Sequence, residues 1–339
     1  MSDRYLWDRG GEPDLEVVRL ERLLSRYRFE GERRPVAGRE DASSWRWLAA
    51  CAAVIIFVSL AVAAALALRL RWEPERAWDV LTSSGSVAID GQPIDSRAVL
   101  PPGGILETGT DSRATVRVAR IGEITIGESS IVSLQYTGAR RHRVSLEHGS
   151  LSARIWAPPF AFGVQTPAGL ASDLGCEFTL QFVDGSGRID VTSGWVDFDG
   201  RTRSSLIPAG ATAELRQDNP GTPHYRDAGP AFINALRDYD ESGDRESMRQ
   251  VLATARHRDA MTLLHILERA PLELRPEIFY RTAQLASPPE GVTLDGVLQR
   301  HRRDGAVDLW RRSIGLGGYK RWWINWRDAL PRSSREESG

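Results

Sequence analysis

From Trp47 to Leu68 the chain runs for 22 residues without a charged side chain. At 1.5 Å per residue, a helix of that length spans about 33 Å, close to the hydrocarbon thickness of a bilayer. Arg46 borders one end and Arg69 and Arg71 the other, and Trp45, Trp47 and Trp72 stand where interfacial aromatics belong. A soluble core helix rarely stays apolar on every face over so many turns. The pattern predicts a single transmembrane helix within residues 45–72. The polar residues before the run, and the length of the run, argue against a cleaved signal peptide. Leu48-Ala49-Ala50-Cys51 looks like a lipoprotein cleavage box, but it precedes the apolar core instead of following it. Lipidation of Cys51 is therefore not expected.

Charge narrows the partners. The chain has 44 basic and 45 acidic residues, a net charge of −1, so no overall basic excess argues for nucleic acid or for coating an anionic surface. Two cysteines make no disulfide framework. Arg33, Arg34, Arg39 and Arg46 flank the run upstream, and Arg69, Arg71 and Arg76 flank it downstream. The positive-inside rule thus places the N-terminus in the cytoplasm by a narrow margin.

Residues 1–44 form a short tail. Val17, Leu20, Leu24 and Tyr27 recur at i, i+3, i+7 and i+10, which predicts one amphipathic helix from about Pro13 to Phe29, ended by Gly31 and Pro35. A helix this short is marginal in water, so its stripe needs a partner, a second copy or the membrane surface. Tyr5-Leu6-Trp7 is a second small apolar cluster.

A linker, residues 73–84, is expected to carry a helix over Glu73–Thr82. From 85 to 215 the texture becomes short apolar runs punctuated by turn residues. Strands are expected at Ser86–Ile89, Ala114–Ala119, Glu123–Ile126, Ile131–Tyr136, Arg143–Leu146, Leu151–Ile155, Phe162–Gln165, Phe178–Phe182, Ile189–Thr192 and Trp195–Phe198. Many short strands at this spacing mean an all-β sandwich, roll or solenoid. A second linker, 216–228, leads to an α-helical domain at 229–330, with a polar tail at 331–339. Its helices are expected to start at Pro230, after Asp244, at Asp259 as an N-cap, beyond Pro276, at Thr293 and at Asp304. They suggest a small bundle or a HEAT-like stack. Trp322, Trp323 and Trp326 form an aromatic patch expected to pack on the β domain, with a partner or lipid as the alternatives.

Within the β region the ordered set Gly85-Ser86-Val87, Leu106-Glu107-Thr108-Gly109, Ile124-Thr125-Ile126-Gly127, Val144 to Leu151, Phe162 to Pro167, Leu174 to Phe178, Val191 to Val196 and Pro208-Ala209-Gly210 resembles the FecR family of envelope signalling proteins. Tyr5-Leu6-Trp7-Asp8 and the following helix look like the tails of such proteins. The resemblance implies a protein of the bacterial inner membrane with a periplasmic β domain that receives a signal from an envelope partner. It also implies a cytoplasmic tail that binds an extracytoplasmic-function sigma factor, here through Val17, Leu20, Leu24 and Tyr27. The sequence departs from the family in its short tail and at Gly175-Cys176, where Gly-Thr is usual. A reading of another class is an envelope scaffold that engages a polymer or protein without transcriptional output.

Catalytic signals are weak, and no cofactor or metal is expected. His257-Arg258-Asp259 resembles a kinase catalytic loop, but Leu264 stands where asparagine is required. His142 and His148, on a strand and a turn, have no third ligand at metal spacing. Asp95, Asp111 and Asp173 fit turn duty. Gly315-Leu316-Gly317-Gly318 lacks the strand–helix context of a dinucleotide loop.

Overall fold

The computed structural model describes residues 15–27, 42–70, 74–94, 98–216 and 219–315. The chain divides into two compact units, Met1–Val62 and Ala63–Gly339. Helix α1 (Leu15–Leu24) continues into a 3-10 turn, Ser25–Tyr27. The cluster at Tyr5, the expected start at Pro13 and the breakers Gly31 and Pro35 lie outside the described residues. Helix α2 (Ala42–Leu70) is 29 residues long. Its window Leu48–Ala65 is exposed throughout, and is long and apolar enough to cross a membrane. The side chains of the expected flanks (Trp45, Arg46, Trp47, Arg69, Arg71 and Trp72) lie outside the described residues.

The strands, 18 among the described residues, are hydrogen-bonded into one continuous curled sheet. It has two limbs. The first runs β1 (Trp78–Ser84), β6 (Arg113–Val118), β7 (Gly122–Ile126), the second half of β9 (His142–Ile155), β12 (Glu177–Val183), β13 (Ser186–Ser193) and β16 (Ala211–Arg216). The second runs β2 (Val87–Ile89), β5 (Ile105–Thr108), β8 (Ile131–Thr137), the first half of β9, β10 (Phe162–Thr166), β11 (Gly169–Asp173), β14 (Trp195–Gly200) and β15 (Ser204–Pro208). Spatial order follows chain order in both limbs. Neighbours are antiparallel, apart from the parallel pair β9–β10.

Strand β9 joins the limbs. Gly149 lies in its middle at φ +96°, where a Cβ would come 2.5 Å from Ser130 Cα. Only glycine fits that approach, and the strand passes there from one limb to the other. The inner faces share one core, in which Val116 and Val118 are buried while Arg117 points outward, as the alternation predicts.

Three expectations are corrected. The linker helix over Glu73–Thr82 is instead, from Trp78, strand β1. Trp78 and Val80 are buried and the strand pairs with β6 and with β4 (Val99–Leu100), so tertiary pairing overrides a helix-like spacing. Arg143–Leu146 and Leu151–Ile155 are parts of the single β9, which places His148 on a strand and not in a turn. The expected linker 216–228 contains β17 (Asn219–Pro220) and β18 (His224–Tyr225), both paired with β16.

Helices α3 (Pro230–Ser242), α4 (Arg245–Thr254), α5 (Ala260–Arg269), α6 (Arg275–Leu285), α7 (Leu294–Leu298) and α8 (Arg300–Ser313) surround a second core containing Phe232, Leu264, Phe279 and Trp310. The local start signals hold for three of them. Pro230 opens α3, Asp244 accepts from Ser247 N, and Thr293 accepts from Gly296 N. Two differ. Asp259 does not cap α5; its buried carboxylate takes the backbone N–H and guanidinium of Arg256. Asp304 lies inside α8, which begins at Arg300. Residues 316–339, with Trp322, Trp323 and Trp326, lie outside the described residues.

The β and helical parts meet along a seam. Met261 of α5 is buried in the β core, and Thr262 Oγ1 donates to Pro223 O at 2.9 Å. Around it, Arg269 binds Asp240 and Thr222, Arg237 binds Glu214 at 3.0 Å, and Arg258 lies 3.9 Å over the Tyr225 ring while binding Asp227.

Candidate interaction surfaces

The stripe of α1 is laid out as the spacing predicts. Leu20, Leu24 and Tyr27 are 56%, 60% and 78% exposed and Val17 is half-buried. Steps of three, seven and ten residues bring the four onto one helical face. No residue of α1 is buried, so what this face can do is hold another surface.

In the β domain the recognisable motif positions build turns. After β11 the chain reverses through Leu174, Gly175 and Cys176 into β12. Gly175 has φ +83°, and a Cβ on Gly194 would come 2.4 Å from Gly175 O. Asp173, expected in turn duty, is fully buried at the end of β11. Its carboxylate accepts from Gly175 N at 3.0 Å, from Cys176 N at 2.8 Å and from the Cys176 thiol. Burial pushes its pKa up to about 7 despite those bonds. Cys176 is buried in this turn, just ahead of β12.

A polar relay ties β1 to the β8–β9 hairpin. Trp78 Nε1 donates to Thr137 Oγ1 at 2.9 Å, and Thr137 Oγ1 lies 2.9 Å from His142 Nδ1. The hydroxyl can accept from the indole and still either donate to or accept from the imidazole. Burial lowers the His142 pKa to about 4, which favours the neutral ring. Beside the relay opens a cleft of about 740 Å3, lined by Tyr136, Arg140, Arg141, Arg143 and Phe160 among others. Sequence reasoning missed it. The signal was the arginine run at 140–143, but the aromatic wall comes from a separate loop.

Among the described residues no group of three or more His, Cys, Asp and Glu side chains is placed to hold a metal. Asp259 is bound by Arg256 and Asp95 lies outside the described residues.

Residues 105–197, from β5 into β14, match the family model described as FecR protein. That stretch of the chain carries a FecR domain. Two crystal structures of a candidate anti-sigma factor from Parabacteroides distasonis ATCC 8503, at 1.65 and 2.50 Å, each share 13% identity with the chain at a TM-score of 0.33. The matches cover 39% of this chain and 64% and 63% of theirs, so it spans a little under two thirds of those structures. No curated protein matches the sequence.

Proposed function

We propose that the chain is a single-pass signalling protein of the inner membrane, with α2 as the span, α1 in the cytoplasm and the β and helical parts in the periplasm. The FecR domain receives a stimulus from an envelope protein or polymer, and the tail regulates an extracytoplasmic-function sigma factor. The observation that carries this is the FecR match over β5–β14. It is supported by an apolar α2 exposed along Leu48–Ala65 and by the uncovered stripe of α1. In this reading Val17, Leu20, Leu24 and Tyr27 form the sigma-binding face.

The test is to purify the full chain from crosslinked host cells in detergent and identify bound proteins. A sigma factor should accompany the native chain and be lost from the Leu20→Glu, Leu24→Glu variant, since each change sets an unpaired carboxylate in an apolar contact. Membrane insertion should be unchanged. Failure to recover a sigma factor with the native chain sinks the reading. An alkaline phosphatase fusion after Leu215 tests topology, and activity there is expected.

The scaffold reading has one observation in its favour. Among the described residues, the polar stretch ahead of α2 offers only α1 and one 3-10 turn as a binding element. If an envelope polymer or protein is recovered and no sigma factor is, the scaffold reading takes first place.

A further inference from the structure

The overall charge balance hides a local cationic surface. In the β8–β9 hairpin Gly138 N donates to Arg141 O at 3.0 Å, closing a tight turn that presents Arg140 and Arg141 to solvent. Arg143 follows on β9, half-buried. Among the described residues no carboxylate pairs with any of the three, and none lines the cleft they border. Two aromatics flank them. Tyr136 is 54% and Phe160 50% exposed. Phe160 is held at φ +65°, a conformation bulky residues rarely adopt, with its N–H donating to Asp173 O at 2.7 Å. A strained, exposed aromatic fixed by a backbone bond marks a position held for contact.

The chain path says what lies near this surface. Helix α2 ends at Leu70, and Glu75 N donates to Thr137 O at 3.2 Å. Five chain steps separate these points, a reach of at most about 18 Å. Thr137 immediately precedes the arginine turn. If α2 crosses the bilayer, the turn is tethered close to the membrane surface.

We propose that this cleft docks the β domain on the anionic phospholipid headgroups of the bilayer that α2 crosses, with Arg140, Arg141 and Arg143 meeting phosphate oxygens and Tyr136 and Phe160 entering the interfacial zone. The inference rests on the membrane-spanning reading of α2. Arginine presents several donors to phosphate at once, the amphipathic ring of a tyrosine favours the headgroup layer, and an apolar ring such as that of Phe160 gains by burial just beneath it. Docking fixes the FecR domain against its own membrane, so a stimulus that lifts it can be felt by α2.

The test uses the full chain reconstituted in nanodiscs of phosphatidylcholine alone, or with about one third phosphatidylglycerol. Amide hydrogen exchange is read over the Gly138–Arg141 turn. Exchange should be roughly tenfold slower in the anionic discs, and the difference should shrink as salt is raised. Arg140→Glu with Arg141→Glu should abolish the protection, while Arg140→Lys with Arg141→Lys should keep most of it. Equal exchange in both kinds of disc, with the chain embedded in each, overturns the docking and leaves the span intact. A chain that does not enter the discs removes the span and the docking together. Equal protection by soluble glycerol phosphate without a bilayer would make this a small-anion site and overturn the lipid assignment.

Discussion

Helices α1 and α5 are both ten residues long and both amphipathic, yet they end differently. In α5 every residue from Ala260 to Leu267 is buried, with Met261 in the β core and Leu263, Leu264, Ile266 and Leu267 in the helical core. In α1 no residue is buried. A helix of ten residues is marginal by itself, so α5 owes its existence to the two cores it closes. The same physics leaves α1, uncovered among the described residues, in need of a surface to pack against. An apolar stripe is therefore a statement about a partner, and the structure decides whether that partner lies inside the molecule.

The contrast is broken most severely by truncating α5. Leu264→Ala leaves a cavity in a closed core and should cost about 4 kcal/mol, lowering the melting temperature of the purified chain by about 10 °C. Leu24→Ala on α1 should shift the same melt by less than about 1 °C, because the side chain leaves no cavity. Calorimetry of both variants in one detergent decides it. Equal losses would mean that the α1 stripe is packed within the chain.

Acid sharpens the comparison by acting only on the packed unit. His142 and His265 are buried, and burial holds their pKa values down to about 4 and about 3. Both rings stay neutral in the fold and take up protons on unfolding, so the stability they carry is present above pH 6.5 and drains away as pH falls. Asp173, raised to about 7, has the opposite sign: its contribution is full near pH 4 and is lost as pH rises through 7. Between pH 6.5 and 4.5 the aspartate offsets one histidine. Asp173→Asn should therefore make the acid loss steeper, by about 3 kcal/mol across the window. His142→Gln should flatten it. Urea midpoints measured across this range check both, and unchanged slopes would mean that neither group titrates as its burial requires.

What the sequence disclosed follows from where each signal is written. The alternation in β6, β7 and β12 is local and could be read directly, as could the spacing of α1. Strand β1 could not, because Trp78 and Leu81 fit a helical period, while the partners that make a strand of it lie at Val99–Leu100 and Arg113–Val116. Gly149-Ser150 reads as a turn, and only the close approach of Ser130 shows that it is the crossing point of one long strand. The arginines of the cleft were visible as a run. Phe160 joins them through the loop that leads into β10, and the parallel pairing of β9 with β10 sets Phe162 opposite His142.

A small but resolvable effect belongs to the most legible kind of signal. Thr293 marks a helix start by its type and position, and its hydroxyl accepts from Gly296 N at 3.2 Å. Such a cap satisfies one of the backbone donors that a helix leaves open at its start. Thr293→Ala should cost about 1 kcal/mol, or about 3 °C of melting temperature. Thr293→Ser, which keeps the acceptor, should restore most of the loss. The whole effect should be a fraction of that for Leu264→Ala, because a cap trims the end of α7 and opens no cavity. A loss as large as that of the core variant would mean that the short α7 is a keystone for α8 and Trp310, and that a local signal there carries tertiary weight.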